Sequence, residues 1–268
     1  MGNRLQAMAS ALVLGKLLDR RVYHSWIPEV DERLSHLSNV KDMQKLSFED
    51  LFVEGRVPRW TGKTDVCFSE WLPGESWFPQ QSSSYHRLMG GTGEIRLIAQ
   101  DADELASCQA EVILLETSHV ITLATHQTEW PKLMSQVYHT HFQPIQKYLG
   151  FIGDKRDIGV SIRRGELYRL FLEARQDLEE VESWLRKKAE GATLHLFSDE
   201  VVVQDRFRTA FGLDTTMLMD SLKDWERGYV QFLTLALQCN RIYGTPKSSF
   251  AIQASIFGGV PYSKLLEP

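Results

Sequence analysis

Cysteine is scarce in this chain. The three present, Cys67, Cys108 and Cys239, are odd in number and widely spaced, which excludes a fully paired disulfide framework and any C-x-x-C metal pattern. They read as reduced and mostly buried thiols. Positive charge is not in excess either: 30 Lys and Arg stand against 35 Asp and Glu, giving a net charge of -5 and a pI near 5.9. A general nucleic-acid or anionic-membrane binder needs an excess of phosphate-contacting cations, so both classes are disfavoured, and any anion must be held by local placement of charge. Long apolar runs are missing as well. The best candidate, Ala7 to Leu18, is interrupted by Lys16, and nothing else approaches the roughly 18 apolar residues of a spanning helix. In that same segment Leu5, Met8, Leu12, Gly15 and Leu18 fall on one helical face, which argues for a helix rather than a secretion signal. With no N-x-S/T sequon, the expectation is a soluble cytoplasmic protein.

Several catalytic signatures are also lacking. Dinucleotide chemistry of the NAD type is disfavoured, because the one G-x-G triplet, Gly91-Thr92-Gly93, precedes a candidate strand instead of following one. There is no G-x-S-x-G nucleophile elbow. Asp101 and Asp103 read as a turn and helix cap before they read as metal ligands. His139 and His141 lie two apart on a candidate helix and so face different directions. No metal site is expected.

What is present is an ordinary globular composition, 43% hydrophobic and 24% charged over 268 residues, enough for one large domain or two smaller ones. A helix is expected from about Arg4 to Asp19, then a strand through "RVYHSWI" closed by Pro28. Residues 29–93 are rich in turn signals that punctuate Trp and Phe. Strands "EIRLIAQ" and "EVILLETSHVITL" come next, then one amphipathic helix through "PKLMSQVYHTHFQPIQKYLGF". From Asp157 the pattern becomes regular: strand "IGVSIRR", a helix closing at Gly191, strand "TLHLFSD", helix "VVVQDRFRTAFG", helix "WERGYVQFLTLALQC", strand "RIYGT" and helix "SSFAIQASIFGG". Such alternation implies right-handed crossovers and a parallel sheet. A domain boundary is placed where "GFIGDKRD" breaks the periodicity.

In a parallel α/β sheet, ligands sit beyond the carboxyl ends of the strands. Three such ends carry polar clusters: Arg163, Arg164, Gly165 and Glu166; Ser198, Asp199 and Glu200; Thr245 through Ser249. Together they offer arginine forks, acidic acceptors and a hydroxyl-rich helix start that favours phosphate. Each alone has a plainer reading: solvated arginines paired with Glu166, and two helix caps. Their occurrence at three strand ends of one sheet supports a nucleotide-diphosphate site.

Four stretches resemble the fucosyltransferase superfamily. "GNRLQAMASALVLGKLLDRR" is similar to its N-terminal Gly-Asn segment, "GVSIRRGE" to its H-x-R-R-x-D motif, "LHLFSDEVVVQDRFRTAFG" to its strand, acidic pair and helix, and "LALQCNRIYGTPKSSFAIQASIFGG" to its closing S-S-F motif. They occur in the family's order and cover both ends of the chain and most of residues 158–259; residues 29–155 match loosely. The resemblance implies an α/β fold of GT-B type. It has two Rossmann-like domains, each with a parallel sheet: residues 1–152 on the acceptor side and residues 153–268 binding the nucleotide sugar, with the active site in the cleft between them. It implies a glycosyltransferase that moves fucose from GDP-fucose to a glycan or glycosylated acceptor, inverting and metal-independent, with no cofactor besides that donor. A GT-B transferase for another nucleotide sugar, or a catalytically silent relative that binds nucleotide or glycan, is the alternative.

By the resemblance, Arg163 grips the donor diphosphate and Arg164 supports it. Thr245, Ser248, Ser249 and Phe250 lie near the phosphates. Asp199 and Glu200 form the acidic pair, and Gly2 and Asn3 face the donor across the cleft. Ser161 stands where the family often has His, and Glu166, the candidate catalytic base, where it has Asp. The physics agrees with a central role for Arg163. Charge builds on a departing diphosphate, and without a metal it needs fixed cations, which a bidentate guanidinium supplies better than an ammonium.

Overall fold

A strand begins where β-branched and apolar residues alternate after a polar break, and such a break at Asp154 and Lys155 opens the central strand. The computed structural model of the chain describes residues 2–24, 47–53, 56–58, 85–89, 112–116, 123–164, 176–213 and 222–267. Its main sheet comprises β3 (Arg156–Ile162), β4 (Leu194–Ser198), β5 (Cys239–Gly244) and β6 (Tyr262–Lys264), in the order β4-β3-β5-β6. Every pair is parallel, with Ile158 opposite Leu194 on one side and Gly159 opposite Ile242 on the other. The expected parallel sheet of the C-terminal half is therefore present. A second parallel pair, β1 (Tyr85–Met89) with β2 (Val112–Glu116), lies earlier in the chain. The α/β class holds; β2 falls inside one expected strand, whereas β1 lies in the turn-rich stretch, where the sequence predicts no strand.

Helices cover both faces of the main sheet. On one face, α4 (Leu178–Lys188) and α5 (Val201–Phe211) contribute Val181, Leu185, Val203 and Phe207, which pack on Ile158, Val160 and Ile162 of β3. α4 starts where it does because the Asp177 carboxylate accepts from the backbone N–H groups of Glu179 and Glu180 at 2.7 and 3.1 Å, satisfying donors that the helix itself cannot. On the other face, α6 (Asp224–Gln238) and α7 (Ser249–Gly258) bring Phe232, Leu233, Ala236, Ala251, Ala254 and Phe257 against Ile242 and Phe197. Gly159 of β3 allows α6 to come close, since a Cβ there would sit 2.6 Å from Leu235 Cδ2 and 2.7 Å from Cys239 Sγ.

The N-terminal elements join this second face. α1 (Gly2–Leu17) supplies Leu5, Ala9 and Val13, and α2 (Trp130–His141) supplies Met134, Val137 and Tyr138 to the same apolar cluster. A buried polar relay ties them together: Tyr138 donates to Gln253 Oε1 at 2.6 Å, and Gln253 Nε2 donates to Gln6 Oε1 at 3.4 Å. The cluster thus draws on residues from both sides of the expected boundary between residues 152 and 153.

Two expectations are corrected. Arg21–Tyr23 form no strand; the chain leaves α1 through Arg20, whose N–H donates to Gly15 O, and Val22 folds back so closely on Gly15 that a Cβ there would lie 2.2 Å from Val22 Cγ2. The single long helix expected after residue 130 is two, α2 and the short α3 (Gln146–Leu149). Pro144 lies between them, lacking the N–H that a continuing helix requires, and forms instead an isolated bridge with Phe52. Of the three cysteines, Cys239 is described; it is a buried free thiol whose pKa burial pushes up to about 12, which makes it unreactive. Cys67 and Cys108, the strand expected at residues 94–100 and Asp101 and Asp103 lie outside the described residues. Among those described, no helix is long and apolar enough to cross a membrane.

Two contacts hold α6 in place and can be tested. At its end nearest α7 the backbones touch, and a Cβ on Gly258 would lie 1.8 Å from Ala236 O. Gly258→Ala is expected to lower stability by about 2–3 kcal/mol, read by urea denaturation, because backbone cannot yield as a side chain tip can. At its start, Glu226 is buried and accepts from Lys223 N at 3.0 Å, from Tyr148 Oη at 3.4 Å and from Lys147 Nζ. Burial alone pushes this carboxyl's pKa up, but those donors outweigh it and hold the pKa below the usual 4.5. A depressed folded pKa adds stability above the unfolded value and loses it as pH falls through the folded one. Glu226→Gln should therefore melt lower than wild type at pH 7, with the gap closing as the pH falls below 4.5.

Candidate functional site

The chain order of the main sheet locates the site. From β3 the chain passes through α4 to β4 on one side; it later enters β5 on the other side and leaves through α7. Since α4 and α7 cover opposite faces, the segments leaving β3 and β5 diverge and open a crevice at the carboxyl ends of these two neighbours. Arg163 and Arg164 come after β3, Thr245 to Ser248 after β5, and Asp199 after β4 next door. The structure brings these together by direct bonds.

Arg163 is at the centre. Its backbone N–H donates to Thr245 Oγ1 at 2.9 Å, and its Nε–H donates to Asp199 Oδ2 at 3.0 Å. Its guanidinium carbon lies 5.8 Å from the centroid of the Phe250 ring, in reach of a cation–π attraction. The other Asp199 oxygen accepts the Arg164 backbone N–H at 2.8 Å. The side chains of Arg163 and Asp199 are 35% and 19% exposed. With Nε engaged by Asp199, Arg163 keeps the paired N–H groups of its two terminal nitrogens for a ligand.

The turn after β5 supplies a second kind of donor. Ser248 N–H donates to Thr245 O at 3.1 Å, closing a turn with Pro246 and Lys247 at its middle. Lys247 has φ +65°, as the third position of a type II turn requires, a place that ordinarily falls to glycine. α7 begins directly after. Its first three N–H groups have no partner within the helix, and Ser248, at the N-cap, makes no side-chain bond to them. Ser248 Oγ is itself buried without a hydrogen-bond partner. A helix start with open amide donors attracts an anion.

Other expected site residues take different places. Ser161 is buried, and its carbonyl accepts Thr245 N–H at 3.0 Å, so it braces the β5 turn from within. Glu200 is exposed, precedes α5 and donates its backbone N–H to Ser198 Oγ at 3.2 Å. Ser249 is the first residue of α7. Gly2 and Asn3 open α1, which starts ahead of the Arg4 expected; their side chains lie outside the described residues, as do Gly165 and Glu166. Gln6 and Gln253, each the fifth residue of its helix, meet at 3.4 Å, which brings the amino-terminal halves of α1 and α7 together. The feature missed by sequence reading is the backbone of Lys247; Pro-Lys followed by Ser-Ser was its signal.

Two concavities lie elsewhere, about 570 Å³ at the amino edge of β3 and β4 near Arg156 and His195, and about 680 Å³ between α2 and α7. Neither is lined by any residue of the Arg163 cluster. Volume alone is the weaker guide here, since the donors converge at the strand ends. Among the described residues no group of three or more His, Cys, Asp or Glu is placed to hold a metal ion.

No protein-family model matches the chain, and no curated protein matches it in sequence. Among solved structures, the chain is similar to FUT1 of Arabidopsis thaliana, seen as a mutant in complex with GDP, with a TM-score of 0.63. The likeness spans 100% of this chain and 68% of that one, at 13% identity. The chain has a fucosyltransferase-like fold. That fold-level likeness agrees with the resemblance carried by the sequence motifs.

The turn after β5 gives a test of its own. A non-glycine residue in the left-handed region costs about 1–2 kcal/mol, part of which glycine returns as unfolded-state entropy. Lys247→Gly should raise stability by about 0.5–1 kcal/mol in denaturant titration.

Proposed function

We propose that this protein is a glycosyltransferase that uses a GDP-sugar, and that the sugar is fucose, passed to a glycan or glycosylated acceptor. The observation that carries the reading is the Arg163 cluster: a guanidinium fixed at Nε, with its terminal nitrogens left over, beside a helix start with open amides. Support comes from the four sequence motifs and from the fold shared with a GDP-bound plant enzyme. A GT-B arrangement, with residues 1–152 on the acceptor side and residues 153–268 binding the donor, belongs to the same proposal.

The geometry accounts for the chemistry. Cleaving the bond between the sugar and the diphosphate leaves a growing negative charge on the departing GDP. Arg163 supplies two parallel N–H donors and a permanent positive charge to that group. Ser248, Ser249 and the first amides of α7 bind a phosphate oxygen, and the helix dipole favours it. Thr245 acts at one remove by fixing the Arg163 backbone. Because the stabilisation is strongest when the charge has formed, it lowers the barrier more than it tightens the ground state. We assign Glu166 as the base that takes the acceptor hydroxyl proton, and inversion results from direct attack on the face opposite GDP.

GDP should raise the melting temperature by several degrees at concentrations well above its Kd, and UDP and ADP should not. Arg163→Ala should abolish the shift while leaving the unliganded melt close to wild type. Stabilisation by UDP or ADP instead of GDP would point to another donor. No shift with any nucleotide would exclude a transferase of this kind. Slow hydrolysis of GDP-fucose without acceptor, lost in Arg163→Ala, would separate an enzyme from a silent binder.

A further inference from the structure

Asp199 was expected from the sequence to contact the nucleotide, and in the structure each of its carboxylate oxygens accepts a hydrogen bond from within the protein. Oδ2 accepts from Arg163 Nε at 3.0 Å and Oδ1 from Arg164 N at 2.8 Å. We infer that Asp199 is a positioning residue: together with the Phe250 ring it sets the plane and direction of the Arg163 guanidinium, so that the two terminal nitrogens present a fork to the second phosphate of a nucleoside diphosphate. The inference rests on the nucleotide-binding reading above and adds to it which residue aims the arginine and which phosphate it is aimed at.

An arginine side chain has several rotatable bonds, and one at a crevice mouth, 35% exposed, samples many directions unless something holds it. Two restraints act here from different directions. The Asp199 carboxylate pins one edge of the planar group through Nε, and the Phe250 ring, 5.8 Å away, borders the guanidinium. The remaining edge, bearing the terminal N–H groups, is the one whose geometry matches two phosphate oxygens. Phe250 is itself held from behind by an edge-on contact with Phe232 at 5.7 Å between centroids, so the ring is anchored in the core between α6 and α7. Asp199 also joins the ends of β3 and β4 through Arg164 N. The same carboxylate therefore fixes both the backbone that carries Arg163 and the group that Arg163 presents. A nearby negative charge weakens the general attraction of the site for anions, a cost that makes sense if direction matters more than charge.

The substitution Asp199→Asn leaves one acceptor for two donors, so one of the two bonds is lost, and in either amide orientation the Arg163 Nε–H no longer has a charged acceptor. The experiment measures GDP and GMP binding by calorimetry for wild type, Asp199→Asn, Phe250→Leu, Arg163→Ala and the double variant Asp199→Asn/Arg163→Ala, with a thermal melt of each to establish folding. Wild type should prefer GDP over GMP. Asp199→Asn should reduce that preference about tenfold, the scale of one hydrogen bond to a charged group, with GMP binding unchanged; Phe250→Leu should reduce it less. In the Arg163→Ala background, Asp199→Asn should have no further effect on the preference. Equal weakening of GDP and GMP, an unchanged ratio, or a full effect persisting without Arg163 would each overturn the positioning role while leaving nucleotide binding intact. If wild type binds neither nucleotide, the reading of the whole site fails, and this inference with it.

Discussion

The central strand β3 is hydrogen-bonded in parallel on both sides, and the helices that follow β3 and its neighbour β5, α4 and α7, cover opposite faces. Much of the structure depends on that constraint. A strand so placed has to be apolar toward both layers of helices, which is why Ile158, Val160 and Ile162 face α4 and α5 while Gly159 and buried Ser161 leave room on the other side. At its carboxyl end the two neighbouring connections part, and the gap they leave is lined by backbone donors and by the side chains that come directly after the strands. The polar residues concentrate at this end, where the helices no longer seal the sheet.

The site is built as a set of internal bonds before any ligand arrives. Thr245 ties the turn after β5 to the start of the segment after β3, Asp199 ties that segment to the end of β4, and the Ser161 carbonyl braces the turn from beneath. Three strand ends are thus cross-linked by side chains and one buried backbone contact. Such preorganisation places the cost of ordering in folding rather than in binding. Nor does a net charge of -5 stand against the proposed anion binding, since what counts there is a few donors fixed at hydrogen-bonding distance.

The regular alternation after residue 157 was legible because strands there are short, apolar and bounded by Gly and polar breaks, although the Asp177 cap that starts α4 was not read. The polar residues at each strand's carboxyl end were legible for the same reason, and Arg163, Arg164, Asp199 and Thr245 do meet in space. Their bonds were not legible. That Asp199 binds Arg163 and Arg164 within the protein is not visible in a sequence, which shows which group is present and not which neighbour it meets. The strand expected at "RVYHSWI" failed, over the part described, because its alternation was overridden by Val22 packing back onto Gly15, and Pro144 cut a helix whose apolar period ran on without a break. β6 is three residues long, too short for periodicity to register, and it pairs with the edge of the longer β5.

α7 has no side-chain cap, although it starts with serines that in most proteins would provide one. Directed evolution or consensus design for heat tolerance would be drawn to such a helix start, where an added acidic or amide side chain ordinarily yields about 1 kcal/mol. In this protein the gain would come from filling, with the protein's own atoms, the place that the proposed function gives to a phosphate oxygen. If the proposed function holds, a thermostable descendant obtained that way would carry a permanent competitor for its own donor, and durability and turnover would pull on the same few amides.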